Sequence, residues 1–593
     1  MKKTSKKNMY GEYARSVGRY RKPMDDRTSN GNREDSAIAE LPLVSDGGSR
    51  SFTIYSASRV DELPMDVEPP AVGATAQGTY VWLENDETWR GPLTADHAQE
   101  QLHDGTRVEP VSRVHRVSRY AGGDIGERTN AAIVALPPEG GRVVLPSGTH
   151  TLTTTITDQG TDNVVLEGQG QNTQILLEED TTANMIELED VSGWTIRQLF
   201  LHGNGRNQID GEDRGVQCGI YCVGTEDLLI EDNYIYDTRY ANIRLQGSTP
   251  IRNAIVRGNV CDTTRGEGDV AHDSISLTAH ADGVIRDWIV ANNLCLNNGH
   301  QSIEIATSSR GGIVAGNVIR DADQTGIDIH GPNSTNIVCA NNFIQNVSTD
   351  VDIAGITLRA DGSVAVGNVI ESADADGIAL SNPRCNAIGN TINASSGRGV
   401  YTTTEEATSL TIANNTISAA KHGVELQSSD CTVIGNTITD SRETGVNLLA
   451  GGNFVAVNQI DRSGTWAVAC ESSDNYVFGN YVQDSSEGGI LVTPGQERNA
   501  LVGNYLRDIE SIGISIGRDG GEPPVDTRLE NNVTYIDGQQ VKDRGSRTTV
   551  DNVGVNNGDP QVEGEWHNHG STGVHVYDVE NEELYHRVPG GWA

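Results

Sequence analysis

The chain has 593 residues, more than one compact core accommodates, so the sequence predicts several domains or one elongated repeat array. Lys and Arg total 44 while Asp and Glu total 82, and the resulting net charge of −38 argues against nucleic acid as a partner. Aromatic residues make up only 5% and glycines number 67, a composition typical of turn-rich β structure. The sequence contains no apolar run of about 18 residues, so no membrane span is predicted.

Lysine is concentrated near the N-terminus, at Lys2, Lys3, Lys6, Lys7 and Lys22. Elsewhere arginine carries most of the positive charge, and acidic side chains outnumber it. This distribution is typical of salt-loving microbes and their viruses, whose carboxylate-rich surfaces stay hydrated in high salt. An ordinary acidic, soluble surface is the alternative interpretation.

In chain order, residues 1–50 are polar and locally basic and predict a flexible N-terminal arm without the apolar stretch of a secretory signal. Residues 51–118 predict a small β attachment module, with short strands in SFTIYSASRV and GTYVWLENDETWRG. From residue 119 the pattern changes, and TNAAIVALPPEGGRVVLP predicts a short helix, a turn and a strand. Residues 546–593 predict a C-terminal β module.

The section between residues 119 and 545 is built from repeats. An Asn-x-apolar element recurs about every 25 residues, at Asn233, Asn259, Asn293, Asn317, Asn342, Asn368, Asn390, Asn415, Asn436, Asn458, Asn480, Asn504 and Asn532. A second element follows each of these, as in ANIRL, DSISL, QSIEI and TGIDI. Both elements alternate apolar and polar residues, which is typical of strands with one buried face.

A period near 25 with two short strands excludes a sandwich, whose strands would be joined by tight hairpins. Leucine-rich repeats require LxxLxL and a hexapeptide helix requires a six-residue period, and neither pattern occurs. The sequence therefore predicts an all-β right-handed parallel β-helix, a solenoid of about 14 coils. Asparagine tolerates left-handed turn geometry, and its amide can bond the asparagine of the next coil, so a stacked ladder is expected.

The cysteines follow the same repeat. Cys261 and Cys295 stand two residues after a repeat asparagine, whereas Cys385 and Cys431 stand five residues before one. These positions predict small buried side chains in the stacked interior. The sequence has no CxxC pair or His/Cys cluster that would indicate a metal site, and a disulfide between coils remains open.

From about residue 119 to 540 the chain resembles the pectate-lyase-like right-handed β-helix superfamily, which includes polysaccharide lyases, polygalacturonases and viral tailspikes. The opening AAIVALPPEGGRVVLPSGTHTL is similar to the capping helix and first coil of that superfamily. With GTYVWLENDETWRG near the start and GVHVYDVENEELYHRVPGGW at the end, the layout most resembles the receptor-binding spike of a halophilic archaeal virus. The resemblance implies a homotrimer that joins virion structural proteins through its N-terminal region. It also implies a location on the virion, with an extracellular protein as the alternative.

Aligning the second strands on their inward residues, from Ile243 to Ile356, gathers ionisable and aromatic side chains on one outer face. We predict this face to be the functional one. The glycan-binding candidates are Tyr240, Arg244, His272, His300, His330 and Arg359, and the catalytic candidates are Asp273, Glu304 and Asp328.

Neighbouring coils are about 4.8 Å apart, so Glu304 and Asp328 are predicted to lie at about the separation of a retaining glycosidase pair. Two like charges at that distance raise one pKa, which would give an acid and a nucleophile. Asp273 with Glu304 is a longer pairing that suits an inverting mechanism. A solvated acidic face is the alternative for all three carboxylates.

The resemblance to polygalacturonases maps Asp273 and His300 onto functional residues of that family, but His272 stands where the family has another Asp and no Arg-x-Lys follows. A calcium-dependent lyase could use Asp273, Glu304 and Asp328 with Arg359 as its base, yet no motif enforces this, so no cofactor is predicted. The acids of the 201–220 segment (Asp210, Glu212 and Asp213) also lack the spacing of a calcium loop.

The predicted function is a virion spike or tail fibre protein that binds a host surface glycan or glycoprotein, with glycan cleavage left open. A free polysaccharide lyase or glycoside hydrolase is the first alternative. A non-enzymatic adhesin is the second.

Overall fold

The computed structural model describes residues 114–208, 217–263, 273–279, 283–347, 354–371, 376–393, 396–536 and 539–556, and strand segments outside these ranges. The chain divides into two compact units, 1–90 and 91–593. The described part of the first unit is a five-stranded sheet that follows chain order, with one parallel and three antiparallel pairings. Its strands are Ala37–Leu41, Phe52–Ser56, Ala71–Thr75, Gly78–Leu83 and Thr88–Arg90.

The second unit is a right-handed parallel β-helix of about 16 turns, as the repeat predicts. Each coil contributes one strand to each of three rows, and neighbours within a row pair in parallel. Row 1 forms a sheet of 16 strands: Ile156–Thr157, Ile186–Glu189, Ile220–Val223, Ala241–Gly247, Asp273–Ala279, Ile303–Ala306, Ile327–His330, Ala354–Leu358, Asp376–Leu380, Val400–Thr402, Val424–Leu426, Val446–Leu448, Trp466–Cys470, Gly488–Val492, Ile512–Ile516 and Gln539–Asp543.

Rows 2 and 3 belong to one continuous sheet and meet at a sharp corner. Row 2 contains Val114–Arg116, Gly141–Val144, Val164–Glu167, Thr195–Arg197, Leu229–Glu231, Ile255–Arg257, Ile289–Ala291, Ile313–Ala315, Val338–Ala340, Val364–Val366, Asn386–Ile388, Thr411–Ala413, Thr432–Ile434, Phe454–Ala456, Tyr476–Phe478 and Ala500–Val502. Row 3 contains Gly148–Leu152, Thr173–Leu177, Phe200–His202, Tyr234–Tyr236, Val260–Asp262, Leu294–Leu296, Val318–Ala322, Phe343–Val347, Val369–Glu371, Thr391–Asn393, Thr416–Ser418, Thr437–Thr439, Gln459–Asp461, Tyr481–Gln483 and Tyr505–Arg507.

The last coils depart from this plan. Arg528–Tyr535 runs through both rows and pairs with Thr549–Asn556. His575–Asp578, Glu583–Val588 and Gly591–Trp592 continue the sheet, with antiparallel pairing between them. A small parallel sheet of Ile251–Arg252, Ile285–Arg286 and Ser309–Arg310 forms between rows 1 and 2 in three successive coils.

Helix α1 (Ile125–Val134) covers the first coils with the buried side chains of Ile125 and Ile133. Its N-cap is Asp124, which accepts from the Glu127 backbone N–H at 2.8 Å. The second Asp124 oxygen accepts from the backbone N–H groups of Thr153 and Thr154 at 2.6 and 2.7 Å. The Asp124 carboxylate thus connects helix α1 to the coils that the helix covers.

The structure has about 16 turns, whereas the repeat predicts about 14. The difference lies at the start, because row 1 already contains Ile156–Thr157, Ile186–Glu189 and Ile220–Val223 before the first repeat asparagine, Asn233. A repeat defined by its asparagine cannot reveal coils that lack one.

The predicted asparagine ladder runs without a break from Asn233 to Asn532. The Nδ2 of each asparagine donates to the Oδ1 of the next one along the rod, at 2.8 to 3.0 Å. The same Oδ1 accepts from the backbone N–H of the preceding asparagine, as Asn259 does for Asn233. A second Nδ2 hydrogen goes to a backbone carbonyl, such as Ile196 for Asn233. Polar groups that the turns bury are therefore satisfied by the side chain.

The sequence suggested that the ladder asparagine itself adopts the left-handed turn conformation. In the structure the residue before it does so. Asp232, Gly258, Asn292 and Gly316 begin a series with φ between +52° and +66° that precedes every ladder asparagine. This explains the recurring Gly-Asn and Asn-Asn pairs, since glycine and asparagine adopt this conformation at little cost.

A second, shorter ladder was not predicted. Asn453, Asn475 and Asn499 stand five residues before three of the main-ladder asparagines, and each Oδ1 accepts from a backbone N–H of the preceding coil. Cys431 occupies the equivalent position one coil earlier and donates its own N–H to Asn453. All eight cysteines are buried free thiols, so they occupy the interior as the repeat predicts.

Val457 occupies the left-handed corner position at φ 56°, where its neighbours along the rod have glycine. A β-branched residue there costs about 1–2 kcal/mol, partly offset by the greater freedom of glycine in the unfolded chain. We expect Val457→Gly to stabilise the protein by about 1 kcal/mol in thermal or denaturant unfolding. The reciprocal change Gly435→Val should destabilise it, and equal stability of all three proteins would contradict the strain.

Candidate functional site

The strand register places the predicted side chains in adjacent positions. Row 1 pairs Arg244 with Ser276, Ser276 with Glu304, and Glu304 with Asp328. The buried isoleucines used for the alignment pair in the same order. Because alternate residues of a strand point to opposite faces, this register brings the outward groups of five coils together. We call this group the row 1 cluster; its described members are Tyr240, Arg244, Asp273, His300, Glu304, Asp328, His330 and Arg359.

Asp273 and His300 form the first ion pair of the row 1 cluster. His300 Nδ1 lies 2.8 Å from Asp273 Oδ1, and the Asp273 side chain is only 2% exposed. Burial raises the pKa of Asp273 to about 6, even though the His300 hydrogen bond opposes the shift. For His300, burial favours the neutral ring, but the hydrogen bond and charge of Asp273 outweigh it, so its pKa is raised.

Asp328 and His330 form the second pair. His330 Nδ1 lies 3.0 Å from Asp328 Oδ2, and Arg359 Nη2 donates to both oxygens at 3.0 and 2.8 Å. Gln301 adds a bond of 3.2 Å. Burial alone would raise the pKa of Asp328, but His330 and Arg359 lower it. The pKa of His330 is raised, because Asp328 outweighs the opposing effect of burial.

Glu304 stands between these two pairs. Its Oε2 accepts from Ser276 at 2.6 Å and from Thr278 at 3.4 Å, and its Oε1 lies 3.7 Å from His330 Nε2. Its side chain is 17% exposed, against 2% and 1% for Asp273 and Asp328. Of the three candidate carboxylates, Glu304 is therefore the one that a ligand can reach without rearrangement.

Tyr240 and Arg244 lie at the first coil of the cluster. Arg244 Nη1 donates to the Tyr240 hydroxyl at 2.8 Å, and both residues are largely buried. His272 lies outside the described residues, as do Asp210, Glu212 and Asp213 of the predicted insertion.

The two carboxylates expected to act as an acid and a nucleophile have different surroundings. Cationic neighbours lower the pKa of Asp328, and both of its oxygens accept hydrogen bonds. The carboxyl group whose pKa is raised is that of Asp273 instead. Asp273 and Asp328 each orient an imidazole, and the outer nitrogen of the His330 ring faces Glu304. The cluster thus offers imidazole and guanidinium donors around one accessible carboxylate.

Sequence reasoning missed several members of this surface. Gln301 bonds Asp328, and Ser276 and Thr278 bond Glu304. The outward columns contain Ser276 and Thr278, but their uncharged side chains do not by themselves indicate a functional role. Gln301 stands directly after His300, and its contact depends on a bend at the start of the strand.

A further polar network on row 1 was also missed, and it occupies the three coils that directly follow the row 1 cluster. Arg398 donates to Asp376 at 2.8 and 2.6 Å and to Glu425 at 3.3 Å, and its guanidinium lies 3.4 Å from the centre of the Tyr401 ring. His422 Nε2 lies 3.5 Å from Glu425, and burial lowers the pKa of His422. Continuing the strand alignment to Ile378, Val400 and Val424 would have revealed this network.

Within the ranges that the structure describes, no three His, Cys, Asp or Glu side chains are grouped so that they could hold a metal ion. The cysteines are poor ligands as they stand, because burial raises the pKa of Cys218, Cys295 and Cys470 to about 12. Among the described helices, none has the length and apolar character needed to cross a bilayer.

The sequence matches the family model described as periplasmic copper-binding protein (NosD) over residues 149–354 and 348–539. No curated protein matches the chain.

Several solved structures are similar to this chain at low identity. The N-terminal fragment of bacteriophage phi29 gene product 12 is 12% identical (TM-score 0.46, covering 80% of this chain and 95% of that chain). The catalytic unit of the GH87 α-1,3-glucanase from Streptomyces thermodiastaticus is 16% identical (TM-score 0.35, 74% and 69%). PfbA, a surface adhesin of Streptococcus pneumoniae, is 12% identical (TM-score 0.38, 69% and 94%). Likenesses this distant do not assign a function.

The raised pKa values of His300 and His330 should depend on their own aspartates. In Asp273→Asn we expect the pKa of His300 to fall while that of His330 changes little, and Asp328→Asn should have the opposite selectivity. Imidazole titrations followed by NMR of protein with labelled histidine measure both, with His300→Gln and His330→Gln assigning the signals. Because the pKa of His330 is raised and that of its partner Asp328 is lowered, the stabilisation from this pair is complete below the ordinary histidine pKa and is lost as pH rises through the folded value of His330. Unchanged titrations in both variants would contradict these assignments.

Proposed function

The chain belongs to the NosD family, and we propose that its row 1 cluster binds a glycan or glycoprotein on a host surface. The observation that supports this best is the pair of imidazoles, each fixed by a buried aspartate, on either side of Glu304. Sugars present many hydroxyl groups that donate and accept, and a fixed set of donors around an acceptor suits them. Arg359 and the two imidazoles, whose pKa values are raised, are the groups that can pair with the carboxylate of an acidic sugar.

The family description names copper, but the described residues do not fit a copper ion. Copper sites draw on imidazole, thiolate and thioether ligands held in one place. Here each of the two cluster imidazoles is held by its own aspartate, and the cysteines are buried thiols in the stacked interior. The proposed function therefore involves no step at copper.

We further propose that the protein is a virion spike or tail fibre of a salt-adapted virus and assembles as a homotrimer. The sequence layout supports this, with a basic arm and a small β module preceding the long solenoid and a β module following it. In this proposal residues 1–118 attach to acidic virion partners, and the row 1 cluster faces the host. An extracellular protein without a virion role is the alternative location.

Cleavage of the bound glycan is the less favoured function. A glycosidase needs two accessible carboxylates flanking the bond. Glu304 is accessible, but Asp328 has both oxygens bonded and Asp273 is buried against His300. A free polysaccharide lyase or glycoside hydrolase stays the alternative that product analysis tests.

Binding should depend on the charged groups of the row 1 cluster. We expect the protein to bind an acidic polysaccharide such as alginate or polygalacturonate more tightly than the neutral dextran. The double change His330→Gln with Arg359→Gln should weaken that binding at least tenfold. Binding should also weaken as pH rises through the raised imidazole pKa values, because the rings lose their charge. Affinity electrophoresis in molar salt measures each effect.

Arg384→Gln is the matched control for these binding measurements. Arg384 is an outer arginine with a side-chain exposure of 51%, close to the 47% of Arg359, and like Arg359 it pairs with an aspartate of the preceding coil, Asp361. It should bind as the wild type does. Absence of polysaccharide binding, or equal affinity in all three proteins, would refute the assignment of the row 1 cluster.

Incubation with each polysaccharide, followed by analysis of the products, distinguishes binding from cleavage. We expect intact polymer, because one accessible carboxylate cannot serve as both acid and nucleophile. If shortened or unsaturated chains appear, Glu304→Gln should abolish them while preserving binding, since the amide keeps the acceptor for Ser276 but loses the acid–base group. Products that persist in Glu304→Gln would place the chemistry elsewhere.

A further inference from the structure

Away from row 1, one strip of outer positions on the rod contains no charged residue over ten consecutive coils. It consists of four positions per coil: the first and third residues of each row 2 strand, the residue that follows that strand, and the first residue of the row 3 strand. The first of these coils contains Ile289–Ala291 and Leu294–Leu296, and the last contains Ala500–Val502 and Tyr505–Arg507. We call these forty positions the uncharged strip.

The lack of charge is not what the composition predicts. Charged residues make up 21% of the chain, so about eight of forty positions would carry a charge, and none does. The strip also has sharp ends. One coil before it, Arg257 pairs with Glu231, and one coil after it, Arg528 pairs with Glu530.

Row 2 is apolar on both faces along the strip. The middle residue of each of its ten strands is completely buried in the solenoid. Of the twenty outward residues, all but Asn386, Thr411 and Thr432 are apolar or aromatic. Parallel strands that are apolar on both faces are typical of sheets covered on both sides.

The outer side of the strip is not fully covered by the described part of the chain. Val457, Phe478 and Tyr505 belong to the strip, and they are 59%, 40% and 40% exposed. Exposed apolar groups gathered on one surface indicate a contact with another molecule, and aromatic residues are enriched where proteins meet.

We propose that the uncharged strip is the surface through which copies of this chain associate side by side. Each copy carries a net charge of −38, so copies repel one another wherever charged faces meet. A contact between copies is least opposed where charge is absent, and this strip extends over nine coil spacings, about 43 Å. Another copy with the same coil repeat can lie parallel to it and match it coil by coil.

The strip also has the shape needed for a closed assembly. It covers both sides of the corner between rows 2 and 3, so each copy offers two faces and can contact one neighbour on each. Such head-to-tail contacts close into a ring around an axis parallel to the rods. The number three rests on the proposed homotrimer, whereas the location of the contact rests on the strip alone. The row 1 cluster lies on another sheet and stays free in this arrangement.

Two strands provide a matched test, because each carries one outward residue in the strip and one outside it. Thr416 and Thr437 lie in the strip, and Ser418 and Thr439 are the next outward residues of the same strands. We expect the wild type to have about three times the chain mass of 63.5 kDa by light scattering in molar salt. Thr416→Glu with Thr437→Glu should yield monomers, whereas Ser418→Glu with Thr439→Glu should leave the mass unchanged.

Circular dichroism checks the fold of each variant, and the single exposed change Tyr505→Glu is the substitute if the double variant does not fold. A monomeric wild type, or assembly that persists with charge in the strip, would overturn the proposal. Polysaccharide binding by the monomeric variant separates the two proposals. Monomers that still bind alginate would support both, and assembly without any polysaccharide binding would refute only the function of the row 1 cluster.

Discussion

The asparagine ladder is the interaction on which the rest of the molecule depends. Each coil turns through a left-handed residue and buries backbone groups that need partners, and the following asparagine supplies them. Because each amide bonds the coils on either side, neighbouring coils cannot slip by one residue without leaving buried donors unpaired, which costs about 1–3 kcal/mol for each group. Fixed register in turn places side chains from separate coils in straight columns.

Those columns bring like charges together, and the structure separates them with cations. Glu304 and Asp328 stand on neighbouring strands, but His330 and Arg359 lie around Asp328 and lower its pKa. No guanidinium among the described residues is hydrogen-bonded to Asp273, so burial outweighs the His300 hydrogen bond and the pKa of Asp273 rises instead. Identical side chains on the same face therefore take opposite protonation behaviour, set by burial and by the nearest cation.

Register could be predicted from the sequence because strands alternate strictly and the repeat supplies an anchor in each coil, as Ile275, Ile303 and Ile327 do. Protonation could not, because the burial of Asp273 and the reach of Arg359 depend on how the strands bend and which side chains cover them. Local motifs also mislead where two adjacent residues form one turn together. The ladder asparagine and the left-handed residue before it occur together, and only backbone angles show which one makes the turn.

The two outer surfaces have different physical origins. The row 1 cluster exists because side chains with opposite charges satisfy one another across coils, whereas the uncharged strip exists because charge is kept out of forty positions. The first is visible as a concentration of residue types. The second is a pattern of absence, which becomes visible only when outward positions are collected from structure.

The uniform bonding of the ladder asparagines affects how the number of coils can change. Asn415 and Asn436 make the same bonds to their neighbours, and 21 residues separate them. Removing or duplicating that stretch would bring one ladder asparagine to the place of another with its bonding pattern intact. The solenoid can therefore lengthen or shorten by whole coils during evolution, while helix α1 keeps its own contacts with the first coils.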